Sequence, residues 1–383
     1  MFYLNMNALL AMCGMVFVLM ATRKWPQNKR ILMLLFNLGF LFLWSGKLFA
    51  FYIAYTLLNY IFFVYLCRTP VWRKFAFALF ILANIGAVIL FHMLGKQGSV
   101  SLLADGVMTL GIMFNVLKII DALYFAYFFG KDGQAKVIDY VNYILFIPTF
   151  TSGPILKFRD FMADVKVPYK VDAPQFEAGV KRIILGLFKK VVVVVWMTDL
   201  FNKVMDQELH THQSLFLMIW FYLMIYMDFS GYSDIAVGFG RLMGFTIPEN
   251  FKKPFLSPTL TQFWRNWHAT LGDWFRDHIF IFFSRKTPSK LMTAGLSIFI
   301  MTLMGLWHGF SWLFLIYGVY HGVIIAIENL LGKTTVIRRK VSKPYFYMRC
   351  LLTQALVVAA IIINLNNPDV VLRVYKGLFH LPF

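Results

Sequence analysis

Two short motifs place a histidine directly beside a tryptophan in a very apolar chain. The first runs from Phe263 to His268 (Phe-Trp-Arg-Asn-Trp-His), and the second runs from Met304 to Gly309 (Met-Gly-Leu-Trp-His-Gly). His308 lies inside an apolar run of membrane-spanning length, where an ionisable side chain is costly. A buried neutral imidazole can act as a general base, because desolvation disfavours its charged form. His308 is therefore a candidate base, with an interhelical hydrogen bond as the alternative.

The glycines of the second motif suggest space beside its imidazole. On a continuous helix, Gly305, Gly309 and Trp312 would share the face of His308, because residues three, four and seven apart lie on the same side. Two glycines on that face would leave room for a substrate. His321 would then point about 140° away from His308 and lie about 20 Å along the axis. We therefore expect His321 to be structural.

A helix predicted over about 260–283 carries the first motif. Its aromatic and aliphatic residues recur at helical spacing on one side: Trp264, Trp267, Leu271 and Phe275. It also contains too many charges for a lipid-facing span: Arg265, Asp273, Arg276 and Asp277. We therefore expect it to lie at an interface or to line a cavity. Taken alone, His268 fits packing and function equally well, and its neighbours Arg265 and Asn266 favour a polar cavity wall.

Two irregular segments interrupt the apolar runs. The segment 146–154 contains two prolines and a glycine, which break a helix. Broken backbone at membrane depth is tolerated only where protein buries it or where it lines a cavity. The segment 228–234 is predicted to end one span and open the next. Asp228 and Asp234 could form a carboxylate pair there, although capping or loop hydrogen bonds are the simpler interpretation.

Composition indicates an all-α polytopic membrane protein. The 383 residues are 60% hydrophobic and only 14% charged, with a mean hydropathy of +0.67, whereas soluble domains are about 25% charged. Apolar runs recur at 7–22, 48–66, 75–94, 191–201, 214–229, 291–307, 309–327 and 349–364. Runs of roughly 17–25 residues suit spanning helices. We predict about nine to eleven spans, with additional re-entrant and interfacial helices, in one membrane domain (1–136 as helical hairpins, 137–330 as the core, and 331–383 as a last span and tail).

The net charge of +19 does not indicate a nucleic-acid partner. The basic residues cluster in short loops between apolar runs, as the positive-inside bias requires. This pattern predicts that the N-terminus lies outside and the 23–30 loop in the cytoplasm. The first run lacks a basic start and a cleavage site, so we expect a retained span. The sequence of 157–190 predicts an amphipathic segment that lies along the membrane. The basic faces of this segment and of 285–290 would suit an acidic cytoplasmic partner or phosphates.

Other catalytic patterns are absent from the sequence. Cys13, Cys67 and Cys350 share no spacing motif, which argues against a disulfide framework or a metal site. The pair His210 and His212 is expected in a solvated loop. There is no phosphate-binding loop or dinucleotide fingerprint. We expect neither a metal nor a permanently bound cofactor.

Taken in order, five segments resemble the bacterial membrane-bound O-acyltransferases over about 137–330: Pro148–Pro154, Asp228–Asp234, Pro248–Phe255, Phe263–Asp277 and Met304–His321. The resemblance implies that His308 is the catalytic histidine and that His268 is a second functional one. It also implies a ring of spanning helices around a central tunnel. In that tunnel, an acyl thioester from the cytoplasm would meet an acceptor hydroxyl from outside.

The resemblance points to two branches and to a set of tunnel residues. The stretch 149–154 is similar to D-alanyl transfer proteins of teichoic-acid modification, which are slightly favoured, whereas 228–234 and 240–251 are closer to alginate O-acetyltransferases. The donor would be a phosphopantetheine carrier protein or coenzyme A, and the acceptor an outer-face molecule or a second acyltransferase protein. Substrate-binding or tunnel positions would be Ser152, Gly153, Pro154, Asp228, Tyr232, Ser233, Asn250, Trp264, Arg265, Asn266, Trp267, Arg276, Asp277 and Trp307. A transporter or flippase without chemistry is the alternative.

Overall fold

The chain folds into helices joined by short turns. A computed structural model describes residues 5–25, 28–69, 71–94, 111–280, 283 and 288–379. In these residues the α-helices are α1 (Met6–Ala21), α2 (Lys29–Trp44), α3 (Gly46–Arg68), α4 (Arg73–Leu94), α5 (Ile112–Phe129), α6 (Val137–Ile144), α7 (Phe158–Lys166), α8 (Ala173–Leu187), α9 (Val194–Met205), α10 (Thr211–Leu242), α11 (Leu260–Asn266), α12 (Ala269–Phe275), α13 (Lys290–His308), α14 (Trp312–Leu330), α15 (Lys343–Ile361) and α16 (Pro368–Phe379). A lone antiparallel bridge joins Phe251 to Trp267. The all-α prediction is confirmed.

Seven of the described helices are long and apolar enough to cross a membrane. They cover Gly46–Arg68, Arg73–Leu94, Ile112–Gly133, Thr211–Leu242, Lys290–His308, Trp312–Leu330 and Lys343–Leu365. The multi-pass prediction is confirmed, although this number lies below the nine to eleven spans expected from the apolar runs. The apolar run 7–22 falls in α1 and the shorter apolar stretch 31–44 falls in α2, and each of these helices has only 16 residues. A 16-residue helix is about 24 Å long, shorter than a typical hydrocarbon core of about 30 Å.

The predicted break at 228–234 is wrong, because α10 continues through it from Thr211 to Leu242. A glycine inside a helix costs only about 1 kcal/mol relative to alanine, so Gly231 does not end the helix. Asp228 and Asp234 are also stabilised within the helix, without a role at a helix end. The Asp234 carboxylate accepts a hydrogen bond from Arg182, and the Asp228 carboxylate pairs with Lys190.

The first of two compact units comprises Met1–Gly186 and Tyr232–Pro248. The predicted irregular segment 146–154 lies here as a 3₁₀ turn (Ile147–Thr149) followed by bends, and nearly all of it is buried. Its burial agrees with the requirement that broken backbone be enclosed by protein. Lys29 illustrates how side chains in this unit form hydrogen bonds with backbone carbonyls at helix ends. Its buried amine donates to the carbonyls of Asp164 and Gly244, both at 3.0 Å, and so satisfies acceptors at the ends of α7 and α10.

The second unit comprises Leu187–Gly231 and Glu249–Phe383. Its central feature is an antiparallel hairpin of α13 and α14, turned at residues 309–311. Gly305, Gly318 and Gly322 let the two backbones touch. A Cβ at Gly318 would lie 2.5 Å from the Met301 carbonyl oxygen, and one at Gly322 would lie 2.7 Å from the Ile298 Cα. Small residues at such contacts are typical of helix packing in membranes.

The hairpin overturns the expectation of one continuous helix through the second motif. The helix α13 ends at His308, and α14 begins at Trp312, so Gly309 and Trp312 do not extend the face of His308. The space beside the glycines is also filled. A Cβ at Gly305 would overlap the Phe314 carbonyl oxygen, and one at Gly309 would lie 2.9 Å from the Phe314 ring. These glycines serve the packing of α14 and do not open room for a substrate.

Candidate active site

The two motif histidines lie next to each other in the second unit. The ring centroids of His268 and His308 are 6.3 Å apart. The Trp307 indole contacts both rings, at 5.9 Å from His268 and 4.9 Å from His308. His308 is exposed, whereas His268 is only 4% exposed. A reactant can therefore reach His308, and His268 lies in the protein behind it.

His268 has an unusual backbone conformation, and it ends the helix predicted over 260–283. Its φ of 48° and ψ of 46° are left-handed, a region that costs a non-glycine residue about 1–2 kcal/mol. The chain there divides into α11, α12 and a π-turn at Arg276–Phe280. The aromatic stripe predicted on one continuous helix is therefore split between two. Strained backbone of this kind persists only where the surrounding structure enforces it.

The segment 250–252 supplies that enforcement. The Lys252 N–H donates to the Asn266 carbonyl at 2.9 Å, and the Ala269 N–H donates to the Asn250 carbonyl at 2.9 Å. These two hydrogen bonds fix the backbone on either side of His268. The Thr270 hydroxyl adds a third bond, at 2.5 Å, to the side-chain oxygen of the fully buried Asn250.

The surroundings of His268 favour its neutral form. Burial lowers the pKa of the His268 imidazole well below its ordinary value, and the nearby His308 lowers it further. The Phe229 ring packs against it at 4.5 Å. In the described part of the chain, its Nδ1 is buried without a hydrogen-bond partner. A neutral imidazole keeps one ring nitrogen as a hydrogen-bond donor and the other as an acceptor.

The predicted tunnel tryptophans occupy different positions. Trp307 contacts both histidine rings. Trp267 is buried and stacks on Phe263 at 5.4 Å, which makes it a packing residue of α11. Trp264 is half-buried and borders a separate cavity. Only Trp307 of the three therefore touches the histidine pair by a ring contact.

That separate cavity has a volume of about 190 Å³ and is bordered by α11, α12, α13 and α14. Its lining includes the predicted residues Trp264, Arg265 and Arg276, together with polar side chains of α13 and α14: Thr293, Ser297 and Asn329. Arg276 pairs with Asp273 at 2.7 Å and with Asp277 at 3.1 Å. The Asn266 amide, in contrast, donates to the Ser257 hydroxyl at 3.0 Å.

Asp228 has a partner that sequence reasoning missed. It pairs at 2.5 Å with Lys190, whose side chain is only 2% exposed, and the neighbouring Lys189 donates to the Ser230 hydroxyl at 3.2 Å. Both lysines lie in a π-turn, Phe188–Val193. Two adjacent lysines directly before an apolar run were the available signal, because a buried cation needs an acidic partner.

The remaining predicted residues belong to the first unit. The Tyr232 hydroxyl shares a hydrogen bond with that of Thr151, and both side chains are buried. Gly153 and Pro154 are buried, Ser152 is half-buried and Ser233 is buried. A Cβ at Gly153 would lie 2.8 Å from the Pro148 carbonyl oxygen, so the turn requires glycine.

His321 lies apart from the His268–His308 pair, which agrees with the expectation of a packing residue. It is fully buried on α14, where the rings of Tyr317, Trp264 and Tyr320 surround it at 4.5, 5.2 and 5.0 Å. The flanking glycine 322 packs at Ile298, ten residues before His308 on α13. Ten residues of helix cover about 15 Å, which separates the two imidazoles along the hairpin.

Glu328 is a further residue that the sequence did not reveal. Its carboxylate accepts from the Leu260 and Thr261 N–H groups, both at 2.8 Å, and from the Thr261 hydroxyl at 2.6 Å. It thus caps the start of α11, the helix that leads to His268.

We expect Glu328→Ala to destabilise the protein by about 2 kcal/mol, since it leaves buried donors without an acceptor. Thermal unfolding in detergent measures this, with Glu177→Ala as the matched control. Glu177 is exposed and pairs only with Lys181 one turn away, so its loss should cost less than about 0.5 kcal/mol. Equal melting temperatures for the two variants would contradict the capping role.

Comparisons with known protein families and curated proteins identify the sequences that this chain resembles. The family model of the membrane-bound O-acyltransferase family matches residues 129–363. The chain is 33% identical over 282 residues to the probable alginate O-acetylase AlgI of Pseudomonas syringae pv. tomato (73% of this chain, 53% of the relative). It is 32% identical over 221 residues to the teichoic acid D-alanyltransferase of Bacillus subtilis (53% and 55%) and 27% identical over 202 residues to the peptidoglycan O-acetyltransferase of Helicobacter pylori (52% and 38%). The chain spans about half the length of the curated relatives it matches.

Proposed function

We propose that this chain, which belongs to the membrane-bound O-acyltransferase family, moves an acyl group from a cytoplasmic thioester to a hydroxyl acceptor on the outer face of the membrane. The observation that carries the proposal is the histidine pair: an exposed imidazole 6.3 Å from a buried one, at the turn of an apolar helical hairpin. The acceptor would belong to a cell-envelope polymer or to a partner protein that passes the acyl group on.

In this mechanism His308 is the general base. It removes the proton from the acceptor hydroxyl, and the resulting alkoxide attacks the thioester carbonyl. When the tetrahedral intermediate collapses, the carbon–sulfur bond breaks and the thiolate leaves with the proton that His308 returns. In this proposal His268 orients the acyl group or stabilises the developing oxyanion. Trp307, packed against both rings, limits the access of water that would hydrolyse the thioester.

The cavity beside α13 supports a route for the donor. Its lining on α13 includes Thr293, Ser297, Met301 and Met304, which follow one face of the helix over about 16 Å. Met304 lies one turn before His308. A cavity that is polar at Thr293 and Ser297 and apolar at Met301 and Met304 would suit a flexible thioester arm such as phosphopantetheine. The donor would be an acyl-carrier protein or acyl-coenzyme A.

The expected setting is a bacterial inner membrane with the N-terminus outside. The bias of basic residues toward alternate loops supports that orientation. The basic face of 157–190, with exposed Arg159 and Lys181, would then meet an acidic carrier protein in the cytoplasm. Residues 285–287 of the second basic face, at 285–290, lie outside the described residues.

Purified protein in nanodiscs tests the function and the acyl group together. We expect release of free thiol from a pantetheine thioester, coupled to acylation of an added hydroxyl acceptor. D-alanyl pantetheine and acetyl pantetheine are compared in parallel. Preference for D-alanyl would support the teichoic-acid type, and preference for acetyl the alginate type, whose relatives match a larger share of this chain. Movement of the acceptor across the bilayer without thiol release would instead support a transporter.

A further inference from the structure

Asn250 was expected to contact substrate, but the structure gives it a different position. It is fully buried, its carbonyl accepts from the Ala269 N–H, and its side-chain oxygen accepts from the Thr270 hydroxyl. These bonds join it to the two residues that directly follow His268. We propose that Asn250 and Thr270 are positioning residues that hold His268 in its left-handed conformation and so direct its imidazole toward His308. The inference rests on the proposed acyl transfer.

The direction of the imidazole depends on this backbone conformation. A residue that relaxes from the left-handed to the right-handed region changes the direction of its Cα–Cβ bond relative to the chain on either side. The ring would then leave its contacts with Phe229 at 4.5 Å and with Trp307 at 5.9 Å. A small displacement of a group that contacts the reacting atoms lowers the rate strongly.

The bridge across the first motif explains how Asn250 and Thr270 can control the direction of the His268 imidazole through the backbone. Phe251 pairs with Trp267, and Lys252 and Asn250 bond on either side of His268. The backbone bonds would persist in a side-chain variant. Thr270→Val tests the Thr270–Asn250 bond, because Thr270 is 5% exposed and valine has nearly its shape but lacks the hydroxyl that donates to Asn250.

The test compares Thr270→Val, which removes the donor, with Thr270→Ser, which retains it. We expect Thr270→Val to lower kcat for acyl transfer about tenfold, with the KM for the pantetheine donor within about twofold. Thr270→Ser should restore at least half of the kcat. Thr198→Val is the matched control, because that hydroxyl donates to the Val194 carbonyl in its own helix and to the Met224 sulfur, and to neither Asn250 nor His268. Its turnover should equal that of the unaltered protein.

A second readout does not depend on turnover. Diethyl pyrocarbonate modifies accessible neutral imidazoles, and mass spectrometry assigns the modified residue. In the unaltered protein we expect fast modification of the exposed His308 and slow modification of the buried His268. In Thr270→Val, His268 should react several-fold faster, whereas His308 keeps its rate.

The two readouts separate failure of this inference from failure of the proposed function. If the unaltered protein transfers acyl groups and Thr270→Val matches it in kcat and in His268 modification, Asn250 and Thr270 do not position His268. An equal loss in Thr270→Val and Thr270→Ser also contradicts the proposal, since the serine hydroxyl restores the donor. If the unaltered protein does not turn over thioester but Thr270→Val still exposes His268, the proposed function fails and the positioning role stands.

Discussion

His308→Ala should lower kcat for thioester-dependent acyl transfer by about 10²–10⁴-fold, the contribution typical of a general base. The physical reason is the position of the imidazole, exposed at the last residue of α13 and beside His268. Without it, the acceptor hydroxyl keeps its proton and attacks the thioester as a weak nucleophile. Thiol release and acceptor acylation, measured on the same nanodisc sample, should fall together.

His321→Leu is the matched histidine variant for this experiment. His321 is fully buried on the second helix of the same hairpin, away from the pair. We expect its turnover to stay within about threefold of the unaltered protein, because a volume-conserving change at a packing position costs less than about 1.5 kcal/mol. If His308→Ala were as active as His321→Leu, His308 would not be the base.

The local composition of each motif singled out two histidines that the structure places side by side. Histidine beside tryptophan in an apolar chain indicated His268 and His308, and the structure brings these two rings together. The all-α, multi-pass architecture also followed from the apolar runs. Both inferences depend only on the residue types within one segment, since burial of an ionisable group in a membrane is costly wherever the segment lies.

The errors share a physical origin, which is contact between segments distant in the sequence. The left-handed His268 breaks a good helical pattern because residues 250–252 grip the chain around it. The helix α10 continues through Gly231, and the partners of its two aspartates lie on other segments, Arg182 on α8 and Lys190 in the π-turn. Glu328 caps α11 from 68 residues away. The hydrophobic periodicity of the sequence does not reveal these long-range contacts, because it describes one segment at a time.

Gly305 was predicted to open space for a substrate, and its actual surroundings give the second prediction. A Cβ there would overlap the Phe314 carbonyl oxygen and lie 3.2 Å from Gly318. Backbone atoms cannot move aside as a flexible side chain can, so Gly305→Ala must push α14 away from α13. We expect a loss of about 3 kcal/mol in the free energy of unfolding, at the upper end of the cost of overpacking. Because His308 lies three residues further along α13, acyl transfer should fall as well.

Gly295 lies on the same helix and provides the control. The same substitution there, Gly295→Ala, should change the free energy of unfolding in the opposite direction. Nothing lies within 4 Å of a Cβ at Gly295, and alanine in a helix interior is favoured over glycine by about 0.5–1 kcal/mol. Gly295→Ala should therefore raise the melting temperature in detergent and leave turnover unchanged. Helix propensity acts equally at both sites, so a difference in sign can only come from what each Cβ meets. Two stabilised variants would mean that α13 and α14 are not in backbone contact at Gly305.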